Sequence, residues 1–275
     1  MSENNLEKIS LRQSGYLTIL GIVVGVFSSS LGSGGGSILI PALTLIMGYK
    51  IKEIVGASLA IIVLTAFFGF TFHLIFSPEN VEFLFVGLML MGSLIGAKLG
   101  ADWTHSVRSW FLMYLSAFIM FFVGLNLFGV LPVFAYFSFL GSSIWLLMFL
   151  GLVSGILSSM LGIGAGVLII PILNLVFALP MTLAVPTCLA VIAPTTLAGS
   201  VFHNNRGKLD WRMIRRLIPG SLVGALCGVF LNHFLSDEFL KITLGIYVIV
   251  SAFEMIITAK VEKKMGNWFF EPTHD

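Results

Sequence analysis

Charge is scarce in this sequence. Of its 275 residues 15 are Lys or Arg and 13 are Asp or Glu, about 10% together, whereas 57% are hydrophobic. A water-soluble domain carries roughly 25% charged residues, so too few are present to cover a water-facing surface. Cysteine is also rare. Cys188 and Cys227 lie in apolar segments with neither metal-site nor disulfide spacing, which reads as packing. The small net charge of +2 gives no footprint for nucleic acid. A removable signal peptide is not expected either. The start, "MSENNLEKISLRQSG", is polar, and the apolar stretch behind it runs into a glycine cluster rather than a small-residue cleavage site.

Apolar runs are abundant. "FLFVGLMLMGSLIGAKLGA" (83–101) exceeds the roughly 18 residues that mark a membrane-spanning candidate, and there are several such runs. A β-barrel would show short alternating segments. The fold class is therefore all-α, a polytopic membrane protein.

The chain repeats itself. "GIVVGVFSSSLGSGGGSILIPALTLIMG" begins at Gly21, and "GLVSGILSSMLGIGAGVLIIPILNLVFA" begins at Gly151. At one constant offset Gly25, Ser28, Ser29, Gly32, Gly34, Gly36 and Pro41 match Gly155, Ser158, Ser159, Gly162, Gly164, Gly166 and Pro171. The same offset pairs Thr65 with Thr195 and His73 with His203. After a small length change "GSLIGAKLG" (92–100) matches "GSLVGALCG" (220–228), and Asn126 matches Glu254. The chain thus divides into a tail (1–14), a first half (15–129), a linker (130–142), a second half (143–260) and a second tail (261–275).

Each half reads as a broken segment followed by three spans. These are about 52–76, 81–101 and 110–129, then 182–204, 213–232 and 239–260. Basic residues of the loops give orientation, because cytoplasmic loops collect Lys and Arg. Lys50 and Lys52 mark the first connection, and "SPENVE" (77–82) has no basic residue. In the second half "ALPMT" (178–182) has none, and "HNNRGKLDWRMIRR" (203–216) has five. The pattern inverts at every matched loop, so the halves are predicted to lie in opposite orientations. Both termini and the loop 206–216 are then cytoplasmic and the linker is outside, in a cell membrane.

Inversion requires an odd number of crossings per half. The second leg of the first broken segment, about 37–48, rises about 18 Å against a hydrocarbon core of about 30 Å. Each broken segment is therefore predicted to be a re-entrant hairpin. The protein has six spans and two hairpins, where hydropathy alone counts about eight apolar segments.

Broken backbone at membrane depth survives only inside protein or beside a water-filled cavity. The amides of Gly34, Gly35, Gly36 and Ser37 sit at a helix start, where the dipole is positive, and the second half offers Gly164, Ala165, Gly166 and Val167. Two such starts near the midplane suit a small anion. Ser28, Ser29, Ser158 and Ser159 either donate hydroxyls to it or bond back to their own helices. Thr65 and Thr195 are further candidates, Thr195 beside the helix-opening Pro194. His73 and His203 either relay protons or bind the anion, or serve structure near the span ends. Glu254, a carboxylate well inside a span, is a packing partner or a proton carrier. The other glycines spaced at four read as helix packing. No cofactor, metal-ligand cluster or nucleophile–base pair is seen, which argues against an enzyme. The partners expected are the lipid bilayer and a small anionic substrate. Oligomeric state is left open.

From about Gly15 to Lys260, through "GSGGGSILIPAL", "GIGAGVLIIPIL", "GSLIGAKLG" and "GSLVGALCG", the sequence resembles the sulfite exporter TauE/SafE family. The resemblance implies a multi-pass transporter of small anions, with sulfite, sulfoacetate and related organosulfonates as substrates. Three functions follow as expectations: outward transport of a sulfur oxyanion, proton-coupled import of thiosulfate, sulfate or another anion, and an intramembrane enzyme or assembly factor.

Overall fold

The computed structural model describes residues 11–49, 51–103, 109–129, 144–204 and 211–268. The linker, Lys50, Arg108, Arg206 and Lys208 lie outside them, as do the chain ends. The described residues form ten α-helices: α1 (Leu11–Leu31), α2 (Gly36–Met47), α3 (Ile51–Phe76), α4 (Phe83–Trp103), α5 (Ser109–Leu127), α6 (Ile144–Leu161), α7 (Gly166–Leu175), α8 (Met181–Asn204), α9 (Trp211–Phe234) and α10 (Asp237–Trp268). Six of these, α3, α4, α5, α8, α9 and α10, are long and apolar enough to cross a membrane. The apolar parts of the others are shorter: Gly15–Leu31, Gly36–Met47, Trp145–Leu161 and Gly166–Leu175. Six spans and two broken segments are what the sequence leads one to expect. Helix α10 continues to Trp268, past the expected repeat boundary at 260; Lys260, Glu262, Lys263 and Lys264 all favour helix.

Matched helices of the two halves run in opposite directions. A methyl on Gly69 of α3 would meet Leu189 of α8, and one on Gly199 of α8 would meet Leu59 of α3, so the pair is antiparallel. Helices α5 and α10 are antiparallel too: Gly124 lies by Ile249, Phe121 rests on Phe253, and Lys263 sits over the Trp110 ring. These are equivalent elements of the repeat, so their antiparallel packing makes the halves inverted.

Each half also lends its first helix to the other. Helix α1 lies parallel to α9, with Gly21 and Gly25 on the backbone of 217–225 and with Gly220, Gly224 and Gly228 facing back. Helix α6 lies parallel to α4, with Gly92, Gly96 and Gly100 on Met148, Leu152 and Ile156. Many of these virtual methyls would come within 2.0–2.5 Å of a backbone carbonyl oxygen. Only glycine permits such contact, and close backbone packing replaces the hydrophobic drive that is missing between helices in lipid. The outward face is apolar: Phe118, Trp145, Phe149 and Phe253 are each more than half exposed. Such a face is stable against lipid and would be costly in water.

The polarity of the two ends differs. The helix directions bring Lys98, Arg215, Arg216, Lys260, Lys263 and Lys264 to one end. Glu79, Glu82, Asp237 and Glu238 gather at the other, with Lys241 one turn in. At the acidic end both carboxylate oxygens of Asp237 accept from the Met181 and Thr182 amides, at 2.9 and 3.0 Å, and so cap the start of α8.

Candidate functional site

The two glycine turns meet at the centre of the molecule. Helix α1 ends at Leu31, and Gly32, Gly34 and Gly35 take φ of 62, 81 and 76°. Only glycine adopts that left-handed run without strain. The chain then doubles back, placing Gly35 beside Val24 and Ser28. In the second half Gly162 and Gly164 take φ of 66 and 79°, and Ala165, where the first turn has Gly35, takes φ −73°. The one glycine of the first turn that the second turn lacks thus marks a real difference in conformation.

The turns touch backbone to backbone. A methyl on Gly34 would lie 3.2 Å from the Cα of Gly164, and the reverse distance is also 3.2 Å. Gly36 faces the Gly162 carbonyl, and Gly166 faces that of Gly32. The Ser58 hydroxyl, which sequence reading missed, donates to the Gly162 carbonyl at 2.6 Å. Close approach is why glycine stands here, and each turn is what approaches the other.

At the start of α2 the Gly35 amide is held by Ser33 Oγ at 3.4 Å. Among the described residues no acceptor engages the amides of Gly36 and Ser37, nor those of Gly166 and Val167 at the start of α7. All four residues are buried. Two positive helix starts with free donors therefore stand at the centre of the protein.

The candidate side chains gather around them unequally. Ser28 donates to Thr65 at 3.3 Å, and Thr65 donates to the Ile62 carbonyl. Thr195 instead pairs with Ser93 at 2.7 Å and bonds back to Val191. The hydroxyls of Ser29, Ser158 and Ser159 are buried with no hydrogen-bond partner among the described residues. His73 and His203 do the same thing in each half: Nε2 donates to the carbonyl of Ser29 or Ser159, at 3.1 Å in both. A carbonyl only accepts, so Nε2 carries the proton. These carbonyls belong to the last turns of α1 and α6, which lack intrahelical partners. Asn232 donates to the neighbouring Ser30 carbonyl at 2.8 Å.

The first turn also has a polar neighbour with no counterpart in the second. The Tyr247 hydroxyl of α10 hydrogen-bonds Ser37 and also reaches Ser33 and Ser251, while its ring stacks on Phe27. The register that aligns Asn126 with Glu254 puts Ile119 and Val123 at the places of Tyr247 and Ser251, and Ile163 and Val167 stand where Ser33 and Ser37 do. The clue in the sequence was the spacing of Tyr247, Ser251 and Glu254, which puts three polar groups on one face of an apolar helix.

Comparison with known proteins agrees with this architecture. The family model described as "Sulfite exporter TauE/SafE" matches residues 3–127 and 147–273, one stretch for each half. The probable membrane transporter protein YunE of Bacillus subtilis (strain 168) is 24% identical over 274 residues, covering 87% of this chain and 96% of its own. The probable membrane transporter protein YdhB of the same organism is 26% identical over 228 residues, covering 81% and 90%. A probable membrane transporter protein of Haemophilus influenzae is 28% identical over 130 residues, covering 44% and 48%. No solved structure matches the chain significantly. The chain belongs to the sulfite exporter TauE/SafE family and is a multi-pass membrane transporter.

Proposed function

We propose that the protein is a secondary transporter that carries a small sulfur-containing oxyanion, sulfite or an organosulfonate such as sulfoacetate, out of the cell, and that it catalyses no covalent reaction. The observation that carries this reading is the pair of buried helix starts, α2 and α7, whose amides at Gly36, Ser37, Gly166 and Val167 have no acceptor among the described residues. A helix start offers roughly half a positive charge together with aimed N–H donors. Three acceptor oxygens on one sulfur can engage several of these at once. The buried hydroxyls of Ser29, Ser158 and Ser159 supply further donors nearby, while that of Ser28 is given to Thr65.

The contact between Gly34 and Gly164 closes the centre. Passage of an anion requires the two hairpins to part, as inverted-repeat transporters rock one bundle against another. The basic end of the fold, from Lys98 to Lys264, faces the cytoplasm by the positive-inside rule. Export of an anion from a negative interior gains about 2.3 kcal/mol per charge per 100 mV.

The test is flux in liposomes containing only this protein. Loaded sulfite or sulfoacetate should leave faster than from empty liposomes, and faster still when a potential negative inside is imposed. Release at the rate of protein-free vesicles would sink the transport reading.

A further inference from the structure

A polar seam joins the first turn to the basic end of the fold. On α10 it consists of Tyr247, Ser251 and Glu254, which repeat at the spacing of one helix face. On α2 it consists of Ser37 and, two turns on, Thr44, whose buried hydroxyl has no partner among the described residues. Tyr247 hydrogen-bonds Ser37 across the seam and touches Ser33 and Ser251, and Glu254 lies within electrostatic reach of Tyr247. From Glu254 the helix runs on to Lys260, Lys263 and Lys264.

The inverted half fills the places of Ser33, Ser37, Tyr247 and Ser251 with Ile163, Val167, Ile119 and Val123, whereas the twins of Thr44 and Glu254 are the neutral polar residues Asn174 and Asn126. Burying hydroxyls costs free energy that branched aliphatic side chains do not. The hydroxyl cluster, and a titratable group where the twin has an amide, occur on one side of a pseudo-symmetric pair and point to a task on that side.

Glu254 makes no ion pair among the described residues. Helix α2 carries no Asp, Glu, Lys, Arg or His, and α5 carries only the titratable Tyr114. Helix α8 also packs on α10 and brings His203 and Cys188, and α1, whose Phe27 stacks on Tyr247, carries Arg12 and Tyr16. On α10 itself the charged groups are Asp237, Glu238 and Lys241 at one end and Lys260, Glu262, Lys263 and Lys264 at the other. An ionised carboxylate is expensive away from water. An anion at the first turn adds to that cost, since two negative charges in a low dielectric repel. By linkage, a proton on Glu254 equally favours the anion.

We propose that transport is coupled to protons, with Glu254 as the exchangeable group and Ser251, Tyr247 and Ser37 as the hydroxyl relay between it and the first glycine turn. Each hydroxyl accepts one proton as it passes another on, so none gains or loses a net proton, and rotation of the hydroxyls then resets the relay. Proton and anion load together and move in the same direction; sulfoacetate, doubly ionised at neutral pH, then still carries one net negative charge, so a negative interior favours its export. The inference rests on the transport reading above.

Two measurements test it. In liposomes with the potential clamped at zero, an imposed difference of about one pH unit is expected to hold about a tenfold sulfoacetate gradient for one proton per anion. Glu254→Gln should abolish that gradient, Glu254→Asp should retain it, and Tyr247→Phe should slow its build-up. A wild-type gradient blind to pH, or a Glu254→Gln variant that responds like wild type, would overturn the coupling. Independently of any substrate, infrared spectra of the purified protein at pH 7 should show a protonated carboxyl C=O band that Glu254→Gln removes. If no tested anion moves at all, the transport reading fails. The infrared result then decides the carboxyl alone, and spectra identical in the two proteins would overturn its role as proton carrier.

Discussion

Gly34 and Gly164 hold one another's place: each leaves room for the other's Cα, and a methyl on either would stand 3.2 Å from it. Both also have left-handed φ, 81 and 79°. An alanine at either position therefore meets two penalties, about 1–2 kcal/mol for the backbone and about 1–3 kcal/mol for overpacking. Gly34→Ala and Gly164→Ala should each lower thermal stability in detergent. The double variant should lose less than the sum, because the first methyl already pushes the turns apart and makes room for the second. Strict additivity, or no effect, would mean that the turns do not bear on one another.

Larger groups go further. Gly35→Val would set a branched side chain against Val24 at φ 76°, and Gly164→Val would set one against the Ser33 carbonyl. Both variants are expected to reach the membrane and to move no anion. Wild-type flux from both purified variants would exclude the turns as the site.

The paired histidines make a prediction that separates structure from chemistry. His73 and His203 each donate Nε2–H to the open carbonyl of a broken helix. Removing the donor leaves a buried carbonyl unsatisfied, at about 1–3 kcal/mol. His73→Ala and His203→Ala should destabilise the protein by about that much in denaturant titration. Gln, whose amide can donate from a similar reach, should recover most of the loss. If the Gln variants are as stable as wild type yet fail to transport, the imidazoles do more than cap.

Much of this fold was legible in the sequence because a repeat carries its own alignment. Once the loop charges inverted between halves, six crossings and two hairpins followed from helix length alone. The glycines spaced at four announced close helix contacts, although not that α1 would settle on α9 and α6 on α4. The site was less legible. The glycine turns declared broken helices, yet nothing local could show that Gly34 would meet Gly164, because that contact exists only once the halves are assembled. Ser58, Asn232 and Tyr247 were missed for the same reason: a lone polar residue in an apolar run does not say what it faces. Tyr247 was the recoverable case. Aligning the halves residue by residue shows Ile119 opposite it, and a polar residue at a position its twin fills with isoleucine is a signal in itself.

Orientation is open to direct measurement. With Cys188 and Cys227 replaced, single cysteines at Lys208 and Asn80 should label oppositely in sealed cells. A membrane-impermeant reagent should reach position 80, in the acidic loop, and miss position 208. Labelling at 208 and protection at 80 would turn the molecule over and make the basic end external, against the charge rule.

Ligand charge and shape give the sharpest test of the centre. Two helix starts with free amides at Gly36, Ser37, Gly166 and Val167 make a field that favours anions and rejects cations. The donors are fixed in direction, so an oxyanion with three oxygens should gain more from them than chloride, which has no directional acceptors. Sulfite or a small sulfonate should therefore raise the melting temperature of the purified protein more than chloride at equal ionic strength. At a hundred times its dissociation constant, a ligand that binds only the folded state adds about 2.7 kcal/mol, enough to resolve in a thermal-shift series. Taurine-like zwitterions should bind more weakly in calorimetric titration, because their ammonium group enters the same positive field. Tighter binding of a cation or of an uncharged solute would refute an anion site between the turns, and with it the substrate class.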